Sequence, residues 1–182
     1  MLLATLAFAL AASDWIPLFD GKTSAGWVKH SGNDFPSEAW RVEDGCLRSV
    51  GPAKQRFDIS TTGRYRDFEL EFEWKLGAGT NSGVKYLVHG VRQVSGIPKA
   101  LGFELQLLDD SASDEGTRPK YRTGSLYSFI AAEKVPPLPV SQWHKARIVV
   151  DGARVEHWLD GVRVMQTRLD GAELRSALAG HP

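Results

Sequence analysis

The chain is nearly free of cysteine, with Cys46 alone among 182 residues. That excludes an intramolecular disulfide and a thiolate metal cluster. Cys46 has no activating neighbour in the local sequence, so it reads as a small hydrophobe in a strand. Net charge is missing too, because 22 Lys and Arg balance 22 Asp and Glu. Without a basic field, nucleic acid and anionic membrane surfaces are excluded as partners, whereas carbohydrates and neutral small molecules stay open. Helical periodicity is scarce: only residues 171–180, with Leu174, Ala177 and Leu178, read as a brief helix. No apolar run is long enough to span a bilayer, and no internal repeat is present. The histidines, His30, His89, His144, His157 and His181, are scattered without H-x-x-x-H or H-E-x-x-H spacing. There is no G-x-S-x-G, and Gly77-Ala78-Gly79 lacks the Lys-Ser/Thr and helix of a phosphate loop.

What is present is an ordinary soluble composition, 42% hydrophobic and 24% charged, with six tryptophans. Tryptophan suits both sandwich cores and sugar-stacking platforms. Residues 1–12 form an apolar run of signal-peptide size, and Ala9-Leu10-Ala11 supplies an A-x-A cleavage pattern, although no Lys or Arg stands near Met1. The expectation is an exported protein, periplasmic or extracellular, with no membrane insertion once residues 1–12 are removed. Residues 13–182 then make a single β-sandwich domain.

Turn chemistry punctuates the rest. Residues 15–22 read as a short edge strand, since Pro17 cannot donate to a ladder, closed at Asp20-Gly21. Trp40–Glu43 and Cys46–Val50 flank Asp44-Gly45, a hairpin signal because a primed turn demands positive φ. Residues 57–62 form another short strand, and Leu126–Ala132 is a strand or the start of one. Residues 143–170 read as a three-stranded meander turning at Asp151-Gly152 and Asp160-Gly161. Its core positions are Ala146, Ile148 and Val150, then Val155, His157 and Leu159 or the opposite set with Trp158, then Val162 and Val164. About ten short strands with regular turn signals imply an all-β sandwich or jelly roll.

The stretch 66–110 organises the chain. Phe68, Leu70, Phe72 and Trp74 alternate with Glu69, Glu71 and Glu73, and Phe103, Leu105 and Leu107 alternate with Glu104 and Gln106. Successive strand side chains face opposite ways, so each run has an apolar face and an acidic one. Side by side, the two runs would present Glu73, Glu104 and Gln106 on one outer surface, with Glu69 and Glu71 as solvated neighbours. Paired carboxylates in different environments can split into acid and base. They can equally hold a hard divalent cation through oxygen, and both alternatives stay open.

Several segments together resemble a known family: Leu18–Lys22 with Gly26-Trp27, Trp40–Gly45, Asp67–Phe72, Asn81–Tyr86, Gly102–Asp109, Arg122–Tyr127, Trp143 and His157–Val162. In this order they resemble the 3-keto-disaccharide hydrolase domain, a concanavalin-like two-sheet sandwich. The resemblance implies export and a carbohydrate substrate: a glycoside whose glucose is oxidised to a 3-ketone. Cleavage would proceed by C2 proton abstraction, elimination and hydration. It implies Glu104 or Glu73 as base or metal ligand, and Lys85 or His157 near the enolate oxygen. Asn81, Gln106 and Arg122 would orient hydroxyls, and Tyr127 or Trp27 would stack on the sugar. The alternatives are a non-catalytic carbohydrate-binding module and an inactive truncated member. Family members normally continue past residues 173–178 into further strands, so the resemblance implies a sandwich short of its last ones.

Overall fold

The computed structural model describes residues 15–50, 57–94 and 96–180. The signal-like run 1–12 lies outside the described residues. The chain falls into two compact units, Met1–Thr62 and Gly63–Pro182.

In the first unit the strands are β1 (Trp27–Lys29), β2 (Trp40–Glu43), β3 (Cys46–Ser49) and β4 (Ile59–Thr61). β1 pairs antiparallel with β4, and β2 with β3. The β2–β3 hairpin turns at Asp44 (φ 51°) and Gly45 (φ 73°), the positive pair that a primed turn needs. Residues 15–22 are not a strand. Asp20 instead closes a local turn, its carboxylate accepting the backbone N–H groups of Lys22 (2.8 Å) and Thr23 (2.7 Å) and the Thr23 hydroxyl (2.7 Å). These bonds, led by the Thr23 amide, lower its pKa to about 2. The Trp27 indole N–H donates to Leu18 O at 2.7 Å, which fixes the ring within this unit.

The second unit holds β5 (Phe68–Trp74), β6 (Asn81–Val94), β7 (Ile97–Leu108), β8 (His144–Asp151), β9 (Arg154–Leu159), β10 (Val162–Arg168) and the helix α1 (Ala172–Ala179). It forms two layers. One is a four-stranded antiparallel sheet in the order β10-β9-β8-β5; the other is the long β6-β7 hairpin. β5 therefore does not lie beside β7, contrary to the expectation from their matching patterns. It pairs with β8 across the full run from Phe68↔Val150 to Trp74↔His144. Alternation sets which residues share a face but says nothing about the neighbouring strand. Residues 126–132 contribute only isolated bridges, Leu105↔Leu126 and Leu126↔Ile130.

The core fills the space between the layers. Tyr86, Leu105 and Leu107 from the hairpin meet Ile148, Val150, Val155, Leu159, Val164 and Met165 from the sheet, with Leu174 of α1 and Leu126 closing the ends. A fully buried side chain of this kind contributes about 1.5–3 kcal/mol. A register shift between Arg163 and Met165 turns both Val164 and Met165 inward and leaves Val162 exposed. Of the two sets possible on β9, the inward one is Val155, His157 and Leu159, all fully buried. The second unit is the two-layer β-sandwich that the strand pattern implied, with α1 as its one α-helix among the described residues.

His144, the first residue of β8, is buried with Nδ1 2.8 Å from Oδ2 of Asp160 in the β9–β10 turn and Nε2 3.0 Å from Pro139 O. Both nitrogens face acceptors, an arrangement that favours the protonated ring. Burial works against the charge, but the hydrogen bonds to Pro139 O and Asp160 outweigh it and raise the pKa. This pair therefore stabilises the fold fully below the ordinary histidine value of 6.5 and is lost as pH rises through the folded value. Thermal melts should show that alkaline-side loss in the wild type, and Asp160→Ala should flatten it.

Candidate functional site

The outer face of the β6–β7 hairpin carries the polar constellation. On β6, Asn81, Gly83 and Lys85 share one side; on β7, Glu104 and Gln106 do. Their registers are Lys85↔Glu104 and Gly83↔Gln106. The segment 123–127 runs along the far edge of β7, with Gly124 N–H donating to Gln106 O (2.9 Å), Gln106 N–H to Ser125 O (3.1 Å) and Tyr127 N–H to Glu104 O (3.0 Å). Lys85, Glu104 and Tyr127 thus stand in one row across three neighbouring stretches of backbone.

Glycine at position 83 makes room in this row. A Cβ there would overlap Glu104 Oε1 and fall 2.8 Å from its Cγ and 2.9 Å from its Cδ. The Glu104 side chain lies in the space a larger residue would fill, with Lys85 Nζ 4.0 Å from Oε2. Both side chains are under a quarter exposed, at 22% and 23%, so their attraction is less screened than that of a surface pair.

A hydrogen-bonded chain borders the pair. Buried Gln106 donates from Nε2 to Asn81 Oδ1 (3.2 Å), and Asn81 donates from Nδ2 to Glu115 Oε2 (2.8 Å). The Tyr127 hydroxyl donates to Glu115 Oε1 at 2.9 Å, and Arg118 Nη2 lies 3.8 Å from the same oxygen. The Tyr121 ring meets Tyr127 edge-on at 5.1 Å, with the Arg118 guanidinium 3.8 Å over Tyr121. Burial first, then the bond to Glu115 and the charges of Glu115 and Glu104, push the Tyr127 phenol up to about 12. The phenol therefore keeps its proton and acts as a donor.

The structure thus brings together Lys85, Glu104, Gln106, Asn81 and Tyr127. It does not bring in Glu73, which stands on the outer face of the other layer, 63% exposed and 3.9 Å from Lys145 Nζ. The surface expected to join Glu73 with Glu104 and Gln106 does not exist, because β5 pairs with β8. His157 is likewise removed from any substrate. It is fully buried between the layers, with Nδ1 2.9 Å from Gly124 O and Nε2 2.9 Å from the Tyr86 hydroxyl. A carbonyl can only accept, so Nδ1 carries the proton and Nε2 accepts from Tyr86. Arg122 lies beside Asp110, whose carboxyl burial pushes up while Arg122 opposes it; Arg122 Nε is buried with no hydrogen-bond partner among the described residues. Trp27 belongs to the first unit.

Glu115 and Gly83 are functional candidates that the linear pattern did not single out. Glu115 sits on a short 3-10 turn, Asp114–Thr117, whose preceding Ser113 side chain accepts from Glu115 N–H; no spacing marks it. Gly83 did carry a signal, since glycine inside a strand often marks close approach of another group. Among the described residues no group of three or more His, Cys, Asp or Glu converges to hold a metal ion. No helix among them is long and apolar enough to cross a membrane.

Two solved proteins of Parabacteroides distasonis, both described as candidate glycosyl hydrolases, are similar in structure. One is 29% identical with a TM-score of 0.75, covering 88% of this chain and 75% of its own. The other is 27% identical with a TM-score of 0.58, covering 79% and 72%. The 3-keto-disaccharide hydrolase of Bacteroides thetaiotaomicron is 29% identical over 181 residues, which is 91% of this chain, and the chain spans 62% of that relative's length. Over residues 14–180 the sequence matches the 3-keto-alpha-glucoside-1,2-lyase-like domain, and the chain belongs to that family.

Proposed function

We propose that this chain is a carbohydrate-cleaving enzyme acting on glycosides whose sugar ring carries a ketone at C3. The observation that carries this reading is the row Lys85–Glu104–Tyr127: one carboxylate between a cation and a protonated phenol, beside a buried amide. A C3 ketone acidifies the C2 proton. In this reading Glu104 removes it, and the C–H electron pair moves into a C2–C3 enolate whose oxygen the Lys85 ammonium stabilises. Collapse of the enolate restores the ketone, forms the C1–C2 double bond and expels the C1 oxygen substituent. The departing oxygen takes a proton from water, while Tyr127, its hydroxyl bonded to Glu115 Oε1, holds that carboxylate beside the row. Water adds to the double bond and the products are those of hydrolysis. Asn81 and Gln106, locked by their mutual bond, present amide groups to ring hydroxyls. The family assignment and the candidate glycosyl hydrolase neighbours support the same substrate class. Export of the protein, inferred from residues 1–12, is part of the proposal.

Incubating the protein with a 3-keto glucoside in deuterated water tests it. The expected result is release of the aglycone with deuterium at C2 of the sugar, unchanged by chelator, since the mechanism runs on side chains alone. Turnover without C2 deuterium would overturn Glu104 as a carbon base, and loss of turnover on chelation would replace the Lys85 role with a metal ion.

A further inference from the structure

The acidic loop that follows β7 is packed into one shape. Asp109 accepts the Gly79 N–H at 2.8 Å and the Ser111 hydroxyl at 2.6 Å, and Asp110 Oδ1 accepts the Thr123 N–H at 2.9 Å. A Cβ at Gly116 would overlap the Asp110 carbonyl oxygen and fall 2.5 Å from its Cα. The loop thus closes on its own backbone and holds Glu115 where each carboxylate oxygen takes its own donor. Oε2 accepts from Asn81 Nδ2 and Oε1 from the Tyr127 hydroxyl, with Arg118 Nη2 3.8 Å from Oε1.

The effect of Glu115 runs on through Asn81. A carboxylate only accepts, so the Asn81 carboxamide turns Nδ2 toward Glu115 and Oδ1 the other way. That oxygen takes Gln106 Nε2 at 3.2 Å. The Gln106 carboxamide is planar, so committing Nε2 to Asn81 points Oε1 away from it. Gln106 is only 1% exposed, and its Oε1 accepts no hydrogen bond among the described residues. Nor is that oxygen sealed in, since the side-chain atoms both buried and unpartnered there are Trp74 Nε1 and Arg122 Nε. A nearly buried carbonyl oxygen therefore has a lone pair to offer, in the residue next to Glu104 on the same face of β7. With a carboxylate at one end of the chain, the other end meets a ligand as an acceptor.

We infer that Glu115 is a positioning residue that fixes the direction of the Asn81–Gln106 chain, so that Gln106 Oε1 accepts a hydrogen bond from the C2 hydroxyl of the substrate. This rests on the reading that Glu104 removes the C2 proton of a 3-keto glycoside, because the hydroxyl on that same carbon is the one brought beside the neighbour of Glu104. The site then selects for a hydrogen-bond donor at C2. A site built to pair with a substrate hydroxyl rejects an analogue that leaves its own polar group unpaired.

The test compares kcat/KM for a 3-keto glucoside and its 2-deoxy-2-fluoro analogue, which keeps the C2 proton but donates nothing. Fluorine also changes the acidity of that proton, but equally for every variant, so a change in the ratio between variants reports the contact. The wild type should prefer the hydroxyl by about a hundredfold or more. Glu115→Ala should reduce that preference about tenfold or more, because Asn81 and Gln106 can then turn over and offer an N–H to the fluorine. Glu115→Gln should retain it, since its carbonyl oxygen still accepts from Asn81 and its amide can donate to the Tyr127 oxygen. A loosened loop alone would lower turnover of both substrates together and leave the ratio unmoved. The Gln106 side-chain amide resonances give a readout that needs no turnover: exchange protection of the Nε2 proton bonded to Asn81 should persist in Glu115→Gln and be lost in Glu115→Ala. No turnover of either substrate by the wild type would overturn the reading of the reaction and this inference with it. Turnover with a preference that Glu115→Ala leaves unchanged, or a Gln106 amide indifferent to that variant, would overturn the inference alone.

Discussion

Glu104→Gln is expected to lower kcat on a 3-keto glucoside by about a hundred- to ten-thousand-fold, with the melting temperature nearly unchanged. The amide keeps the shape of the carboxylate but has no lone pair basic enough to take a carbon-bound proton. Gly83→Ala should reach the same end by a different route. Its backbone is not in the left-handed region, so alanine fits the strand, but the added methyl group occupies the place of the Glu104 carboxyl. The carboxylate must then swing away from Lys85, and kcat should fall about ten- to a hundredfold, the cost of a misplaced catalytic group. Combining Gly83→Ala with Glu104→Asp shortens the side chain by one methylene and should restore part of the lost rate. The kinetics of these variants on one substrate check the account. Unchanged turnover in Glu104→Gln would remove Glu104 from the chemistry, and full activity in Gly83→Ala would remove the need for its present position.

The second large effect is on stability. His157 joins the two layers: it accepts the Tyr86 hydroxyl from β6 and donates to Gly124 O, in the segment that carries Tyr127 and pairs with Glu104. His157→Leu leaves a buried hydroxyl and a buried carbonyl unpaired, at a cost of about 2–5 kcal/mol. Burial also lowers the histidine pKa from its ordinary 6.5 to about 4, against the bond to Gly124. Between these values the unfolded chain takes up a proton that the folded chain refuses. Stability is therefore fully present above about 6.5 and falls as pH drops to about 4, by about 3 kcal/mol from this residue. Urea unfolding at pH 7 and pH 4.5 should show that loss in the wild type and much less of it in His157→Leu. The His144–Asp160 pair acts in the opposite direction, losing its contribution as pH rises, so only the difference between the two proteins isolates His157.

Much of this architecture is legible in the linear pattern. Alternating residues such as Phe103, Leu105 and Leu107 against Glu104 and Gln106 assign inner and outer faces without any knowledge of neighbours, because a strand has a period of two. Asp44-Gly45 and Asp160-Gly161 fold their hairpins locally, through positive φ at both residues of each pair. Hence the β2–β3 hairpin, the meander of β8 to β10 and the polar face of β6 and β7 follow from short-range rules, whereas residues 15–22 and 126–132, which read as strands, form none.

What the alternation leaves open is which strands meet. β5 has the same pattern as β7, yet it is hydrogen-bonded to β8, whose paired residues lie 70 to 82 positions away, and that choice puts Glu73 on the opposite layer from Glu104. The inward turn of His157 rather than Trp158 was equally open to a period-two strand. It was decided by Tyr86 and Gly124 O, which satisfy a buried imidazole from two distant segments. Glu115 enters the site only because a polar loop folds back over Asn81 and Tyr127. The sequence by itself determined the faces, the turns and the chemistry available on each strand, because these depend on residues within hydrogen-bonding reach along the chain. The tertiary structure alone decided which faces oppose, which carboxylates share a surface and which histidine is sealed from water, because those depend on closing long loops around one shared core.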